Sequence, residues 1–273
     1  MLHQQKIFSP AAENIRVKVL SNRCIKPGHF RLAFRVPVSF PEAVPGQFVH
    51  IKVGEGPVPL LRRPFSISNY TPGKIQIIYA VVGQGTKILS HAKRGDYLDM
   101  LGPAGKGFCI CEEAKTHLLI GGGMGAAPLV FLARKILKKV KKDSSISVFL
   151  GFKTKQEIIL KEEFAKNSII GLQIATEDGS FGYRGLVSEL FEDYLKKISS
   201  TSKFSIYACG PLQMLKTVAR LSFDYDIFSQ VSMEEIICCG VGACRGCVIK
   251  GTAGYMRVCQ EGPVFDAKKI SWS

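Results

Sequence analysis

The chain lacks any apolar run near the roughly 18 residues that a membrane span needs. Its start, Met1-Leu2-His3-Gln4-Gln5-Lys6, lacks the apolar core of a secretory signal. The expectation is therefore a cytoplasmic chain with no membrane partner. No internal repeat and no low-complexity tract occurs. With 46% hydrophobic and 22% charged residues, the composition excludes disorder and a collagen-like rod. The histidines, His3, His29, His50, His91 and His117, show no ligand spacing. No general acid–base pair stands out, and no catalytic residue is assigned.

Charge is not scarce: 37 basic against 22 acidic residues give +15. Such a balance suits nucleic acid, an anionic surface or an acidic partner, and equally a lysine-rich solvated surface. The basic residues are spread along the chain. The one tight run, Lys138, Lys139, Lys141 and Lys142, ends a predicted helix, where lysine suits the helix dipole. No basic–aromatic recognition motif is present, so nucleic acid is not an expected partner.

Nine cysteines, an odd number, crowd toward the C-terminus. Cys24, Cys109, Cys111, Cys209 and Cys238 are loosely placed, whereas Cys239, Cys244, Cys247 and Cys259 share one segment. Odd count, clustering and no signal peptide argue for metal over a disulfide framework.

The chain divides into three stretches. Residues 1–112 read as short strands between Gly and Pro turns, such as Phe48-Val49-His50-Ile51-Lys52-Val53 and Ile75 to Val82. That pattern predicts a small antiparallel barrel. Gly102 to Gly107 is expected to be a loop near its end. Residues 113–230 alternate strand and helix. His117 to Ile120, Ser147 to Leu150 and Phe204 to Cys209 are predicted strands. Leu129, Leu132, Ala133, Ile136 and Leu137 recur at helical spacing, as do Val187, Leu190, Phe191, Tyr194 and Leu195. The pattern is that of a doubly wound parallel sheet. Residues 231–273 are too few to make a core without a staple.

The staple is the cysteine set. Cys239-x4-Cys244-x2-Cys247-x11-Cys259 has the C-x4-C-x2-C…C spacing of plant-type 2Fe-2S ferredoxins. Gly240, Gly242 and Gly246 let backbone amides approach the sulfurs. A predicted hairpin through Gly251 and Gly254 returns Cys259 to the other three. The alternative is a four-cysteine zinc site, which usually carries two C-x2-C knuckles; here there is one. Cys238 is the alternative first ligand, at x5.

Ile120-Gly121-Gly122-Gly123-Met124-Gly125-Ala126-Ala127-Pro128 follows a predicted strand and opens a helix. In that context a glycine loop can cradle a pyrophosphate at the helix N-terminus. The acid expected at the end of the second strand is missing; Gly151-Phe152-Lys153 stands there. NAD versus NADP stays open, because Lys153 or Lys155 could meet a 2′-phosphate. Leu61-Arg62-Arg63-Pro64-Phe65-Ser66-Ile67-Ser68 reads by itself as an edge strand. Arg63 offers a fork suited to a diphosphate, and Ser66 could bond a ring edge. Gly83-Gln84-Gly85-Thr86 is a turn able to expose N–H groups.

Barrel, arginine–serine strand, glycine loop and Cys209-Gly210-Pro211 together resemble the ferredoxin–NADP reductase superfamily. Cys239-Gly240-Val241-Gly242-Ala243-Cys244-Arg245-Gly246-Cys247, with Arg257-Val258-Cys259-Gln260-Glu261-Gly262-Pro263, narrows the likeness. Within the superfamily it is similar to the electron-transfer subunits of dihydroorotate dehydrogenase B. Glu177-Asp178-Gly179-Ser180-Phe181-Gly182 belongs to that likeness, which spans essentially the whole chain.

The resemblance implies FAD in the barrel, held by Arg63, Pro64, Phe65, Ser66, Ile78, Tyr79, Ala80, Gly85 and Thr86. It implies NAD at Gly121, Gly122, Gly123, Met124 and Gly125, with Cys209, Gly210 and Pro211 beside the nicotinamide. Cys239, Cys244, Cys247 and Cys259 would hold the cluster. The implied partner is an FMN-containing catalytic subunit that oxidises dihydroorotate, in a heterotetramer of two such pairs serving pyrimidine (UMP) biosynthesis. Electrons would pass from that FMN through 2Fe-2S and FAD to NAD+. A flavin suits the middle place because it handles both single electrons and hydride. The nearest alternative is the reductase subunit of another complex, of ferredoxin:NADP+ oxidoreductase or sulfhydrogenase type. A zinc-stapled nucleic-acid-binding protein is the remote one.

Overall fold

Strands in the first stretch alternate inward and outward residues, and this closes them into a barrel. The computed structural model describes residues 13–54, 58–139, 144–198, 200–201 and 203–272. The chain start with His3, and Lys141 and Lys142 of the basic run, lie outside them. The strands β1 (Glu13–Lys26), β2 (His29–Arg35), β3 (Phe48–Lys52), β4 (Arg63–Thr71), β5 (Lys74–Ala80) and β6 (Tyr97–Ala104) pair in the closed order β1-β2-β5-β4-β3-β6. A short helix, α1 (Gln84–Ser90), links β5 to β6. In β5, Ile75, Ile77 and Tyr79 point into the barrel core. Ile78 points out and is buried against the next unit. The arginine–serine strand is β4, and it is no edge: it pairs with β3 on one side and β5 on the other. The predicted barrel closes and so leaves no edge strand; the place of one strand within it is a long-range property that a local reading cannot see. Gly102, Pro103 and Ala104 belong to β6, so the expected loop starts only after them.

The second stretch supplies β7 (Thr116–Gly122), α2 (Ala126–Lys139), β8 (Ser145–Phe152), α3 (Lys161–Ala165), β9 (Ile170–Thr176), β10 (Tyr183–Arg184), α4 (Val187–Lys196), β11 (Phe204–Cys209), α5 (Leu212–Asp224) and β12 (Phe228–Ser232). Beyond it come a hairpin, β13 (Val248–Gly251) with β14 (Gly254–Arg257), and the short β15 (Val264–Asp266). The sheet order is β10-β9-β8-β7-β11-β12-β15. Its pairings are parallel except for β15 against β12. Val187, Phe191, Leu215 and Val218 cover one face, and Leu129, Leu132, Ile136 and Phe164 the other. Strand order reverses between β7 and β11, which places a binding crevice at their C-terminal ends.

The last stretch is tied into this sheet. Strand β12 carries the chain across 230/231, and β15 returns to pair with it. Cys247, Ile249, Val258 and Cys259 share one apolar core with the residues of α4 and α5. A segment too small for its own core thus borrows its neighbour's.

Candidate functional site

Two pockets meet around the C-terminal ends of β7 and β11, and the segment that leads to the clustered cysteines lines one of them through Ile237. A groove of about 410 Å³ lies where barrel and sheet join. Arg63, Pro64, Phe65 and Ser66 of β4 line it, with Ile78, Tyr79 and Ala80 of β5 and Thr86 of α1. Met124 and Cys209 face it from the sheet. Tyr79 is locked: its ring stacks on Phe30 at 5.6 Å and its hydroxyl donates to Asn22 Oδ1 at 3.1 Å. Burial pushes its phenol up to about 12, so the ring is neutral. Thr86 Oγ1 accepts the N–H groups of Val82 and Gly83, at 2.9 and 3.1 Å, which folds the turn. Gly85 lies against the Arg63 guanidinium; a Cβ there would stand 2.7 Å from Nε. Arg63 and the Gly83–Thr86 turn therefore form one basic, N–H-rich corner, suited to a diphosphate. Cys209 is wholly buried, and burial raises its thiol to about 12.

A cleft of about 320 Å³ opens on the other side of the β7 turn. Gly122, Gly123 and Pro211 line it. Gly121 and Gly125 are set by packing. A Cβ on Gly121 would press Leu150 and Leu129, and one on Gly125 would overlap the Cys209 carbonyl oxygen. Gly210, at φ +154°, leaves no room for a Cβ beside Gly122. The Cys209–Pro211 turn thus joins groove to cleft, with Cys209 facing one and Pro211 the other.

Lys153, Glu157 and Glu177 line the outer part of the cleft. Sequence reasoning looked for the acid at the end of β8. An acid stands one strand later, where Glu177 follows β9 and donates its N–H to the Phe152 carbonyl at 3.1 Å. Glu234 and Glu235, also missed, line the groove. Glu234 is open to solvent as a whole residue, yet surrounding protein desolvates its carboxyl and raises its pKa.

The four cysteines are gathered in pairs by backbone N–H groups. Cys244 N–H points to Cys239 Sγ at 3.5 Å, and Cys259 N–H to Cys247 Sγ at 3.4 Å. Gly242 N–H reaches Cys259 Sγ at 3.2 Å, and Gly246 N–H reaches Cys244 Sγ at 3.4 Å. Burial disfavours the Cys239 thiolate, but the N–H groups of Cys244 and Val241 outweigh it and bring that thiol down to about 6. Burial, then the neighbouring Cys247, holds Cys259 up at about 12. Among the described residues no three His, Cys, Asp or Glu side chains gather about a single ion. A two-iron cluster asks instead for two thiolates on each iron, with N–H groups aimed at sulfur, and the paired donor set fits it. Cys238 Sγ and Cys244 Sγ both lie close to Gly246. Arg257 ties the loop: its guanidinium pairs with Glu261 and donates to the Gly242 carbonyl at 3.0 Å.

One histidine stands out here. His50 is fully buried, and neither ring nitrogen makes a hydrogen bond among the described residues. Burial lowers its pKa, opposed by the nearby backbone of Arg62, Ile237 and Cys239.

The iron–sulfur cluster binding domain of dihydroorotate dehydrogenase B, as a family, matches residues 234–271. The oxidoreductase NAD-binding domain matches residues 119–220. A protein of Desulforamulus reducens named dihydroorotate dehydrogenase B (NAD(+)), electron transfer subunit, is 38% identical over 93% of this chain and 97% of its own. The chain belongs to that family of electron-transfer subunits. A Caldanaerobacter subterraneus member of the same name is 38% identical over 94% of this chain and 98% of its own. Among solved structures, the NADH-dependent reduced ferredoxin-NADP oxidoreductase described for flavin-based electron bifurcation matches at TM-score 0.81. It is 27% identical, over 94% of this chain and 90% of that one. A ferredoxin NADP+ reductase from Neisseria gonorrhoeae with bound FAD and NADP shares the fold at TM-score 0.65 and 18% identity, over 82% of this chain and 94% of that one. The family's cluster match begins at Glu234, beside the groove, and takes in all four paired cysteines.

Proposed function

We propose that this chain is the electron-transfer subunit of an NAD-dependent dihydroorotate dehydrogenase. Electrons would come from the FMN of a catalytic partner, pass through 2Fe-2S and FAD, and reduce NAD+ in UMP biosynthesis. The observation that carries the reading is how three sites are linked: a groove on β4 and β5, a glycine-lined cleft sharing the Cys209–Pro211 turn with that groove, and paired cysteines whose segment lines the groove through Ile237. A flavin between cluster and nicotinamide converts single electrons into hydride.

The residues would act as follows. Arg63 and the Gly85-Thr86 turn hold the FAD diphosphate, and Pro64, Phe65, Ser66, Ile78, Tyr79 and Ala80 seat the flavin ring. Gly121 to Gly125 bring bare backbone to the dinucleotide, and Cys209, Gly210 and Pro211 border the nicotinamide. Cys239, Cys244, Cys247 and Cys259 hold the cluster. Two carboxylates, Glu157 and Glu177, face one lysine, Lys153, in the cleft. That balance favours a ribose diol over a 2′-phosphate, and hence NAD. The division at 112/113 and 230/231 is one of cofactors, not of sheets. The family name implies a catalytic partner subunit; an FMN subunit and two copies of each chain complete the proposal. No described helix is long and apolar enough to cross a membrane, in keeping with assembly in the cytoplasm.

The test is reconstitution. Mixed with an FMN-containing dihydroorotate dehydrogenase, the chain should couple dihydroorotate oxidation to NAD+ reduction, and it should do neither alone. NAD+ reduction driven by reduced ferredoxin, with none from dihydroorotate, would favour the reading suggested by the likeness to the bifurcating oxidoreductase.

A further inference from the structure

His50 sits on β3 between two of the proposed cofactor sites. In register it pairs with Pro64 of β4 on one side and Leu101 of β6 on the other. Val49 and Ile51 point into the barrel core. Phe48 and His50 point out, toward the C-terminal segment, with Phe48 in the same apolar core as Cys247 and Cys259. An outward position on a barrel strand ordinarily meets water. Here the cluster segment covers it, and His50 is 0% exposed.

The ring is fixed. Phe48 meets it edge-on at 6.5 Å and 73°. Gly240, at φ +75°, lies directly on it: a Cβ there would stand 2.7 Å from His50 Nδ1 and 3.2 Å from Leu101. The backbone of Ile237 and Cys239 lies near the ring on the cluster side, and that of Arg62, just before β4, on the other, with no hydrogen bond of full geometry to either nitrogen. A filler for this space would be leucine or methionine, which bury without penalty. An imidazole with neither nitrogen bonded is costly to bury, unless its N–H serves the segment it faces.

We infer that His50 is a positioning residue of the iron–sulfur site: its ring, packed directly under Gly240, seats the Cys239–Gly240 arm against the strands that carry the flavin residues, with its N–H facing the nearby backbone of Ile237 and Cys239. The inference rests on the proposed two-iron site. Groups next to cluster ligands set ligand orientation and potential without touching iron. Cys239 is the arm's first ligand, so a shift of this arm moves one sulfur relative to the other three. Gly240 is required on the same account, because any side chain there would displace the ring.

The experiment compares anaerobically purified holoprotein with His50→Leu, His50→Phe and His50→Gln. Iron, sulfide and FAD are quantified, and the dithionite-reduced cluster is examined by EPR and redox titration. The expected result is unchanged FAD and NADH bleaching of the flavin in all four proteins. In the Leu and Phe variants the EPR g-values shift, and iron is lost to a chelator about tenfold faster. His50→Gln, which keeps an N–H, returns toward wild type. Wild-type g-values, potential and iron retention in both Leu and Phe variants would overturn the inference. So would a Gln variant that behaves like Leu, or loss of FAD in both non-donor variants, since the effect is assigned to the cluster arm alone. Wild-type protein without iron and sulfide would instead defeat the proposed function itself.

Discussion

Gly242 donates its N–H to Cys259 Sγ at 3.2 Å, across 17 residues of sequence. The opposite side of the same residue, its carbonyl, accepts from Arg257 at 3.0 Å. Arg257 is in turn held by Glu261, whose carboxylate also accepts the Arg257 backbone N–H at 2.6 Å. The Arg257–Glu261 pair therefore aims an amide at sulfur without touching it.

Arg257→Ala should release that amide. Partners one step removed from a metal typically change its retention by about 10–100-fold. Iron loss to a chelator should accelerate about tenfold, while FAD content stays unchanged. Equal rates in variant and wild type would place Arg257 outside the cluster's support.

Cys259→Ser removes a sulfur from the buried pair, whereas Cys24→Ser alters an exposed thiol on β1 whose nearest partner is the Lys26 carbonyl at 3.0 Å. The first should abolish or damage the cluster and the second should leave iron content unchanged. Elemental analysis of the two variants decides the ligand assignment.

Glu177→Arg reverses charge in the nucleotide cleft beside Lys153. The ratio of kcat/KM for NADPH over NADH should rise by about tenfold or more, since an acid at this place bonds the ribose diol and repels a 2′-phosphate. Steady-state diaphorase assays with both nucleotides read the ratio, and an unchanged ratio would remove Glu177 as the selector.

Glu163 on α3 reaches Arg31 of the barrel at 2.8 Å and Arg134 of α2 at 2.5 Å. Burial raises its carboxyl pKa, but hydrogen bonding to Arg31 and the charges of Arg31, Arg134 and Lys166 prevail, so the folded pKa lies below its ordinary 4.5. A depressed carboxylate stabilises fully above its unfolded pKa and loses that contribution as pH falls through the folded value. With both arginines about one-third exposed, the pair is worth about 1–2 kcal/mol after screening. Glu163→Gln should lower Tm by about 2–6 °C at pH 7. The gap should narrow once pH drops below the ordinary carboxylate value. A gap independent of pH would contradict the assignment.

Legibility in the sequence tracked the range of the signal. The iron–sulfur segment was readable because Cys239, Cys244 and Cys247 lie within nine residues and a Gly251/Gly254 hairpin carries the chain back toward Cys259. Strands β7, β8 and β11 were readable as short apolar runs next to helical periodicity. Four features were not. Within the predicted barrel β4 lies between two strands and not at an edge, and β15 inserts antiparallel into a sheet built earlier in the chain; both depend on distant pairing. An acid was sought only at the end of β8, and Glu177 at the end of β9 was passed over, because the order β9-β8-β7 that brings both strand ends to one cleft is not local. His50 stood out only as one of several histidines without ligand spacing, inside a predicted strand. Only the covering segment, nearly 190 residues later, makes its burial informative.

The most direct measurement is a visible spectrum of anaerobically purified protein, with iron, acid-labile sulfide and flavin quantified. Flavin and iron–sulfur absorption together, one cluster and one FAD per chain, and flavin bleaching by NADH are the predicted result. A colourless protein containing zinc, or one carrying flavin without iron and sulfide, would contradict it.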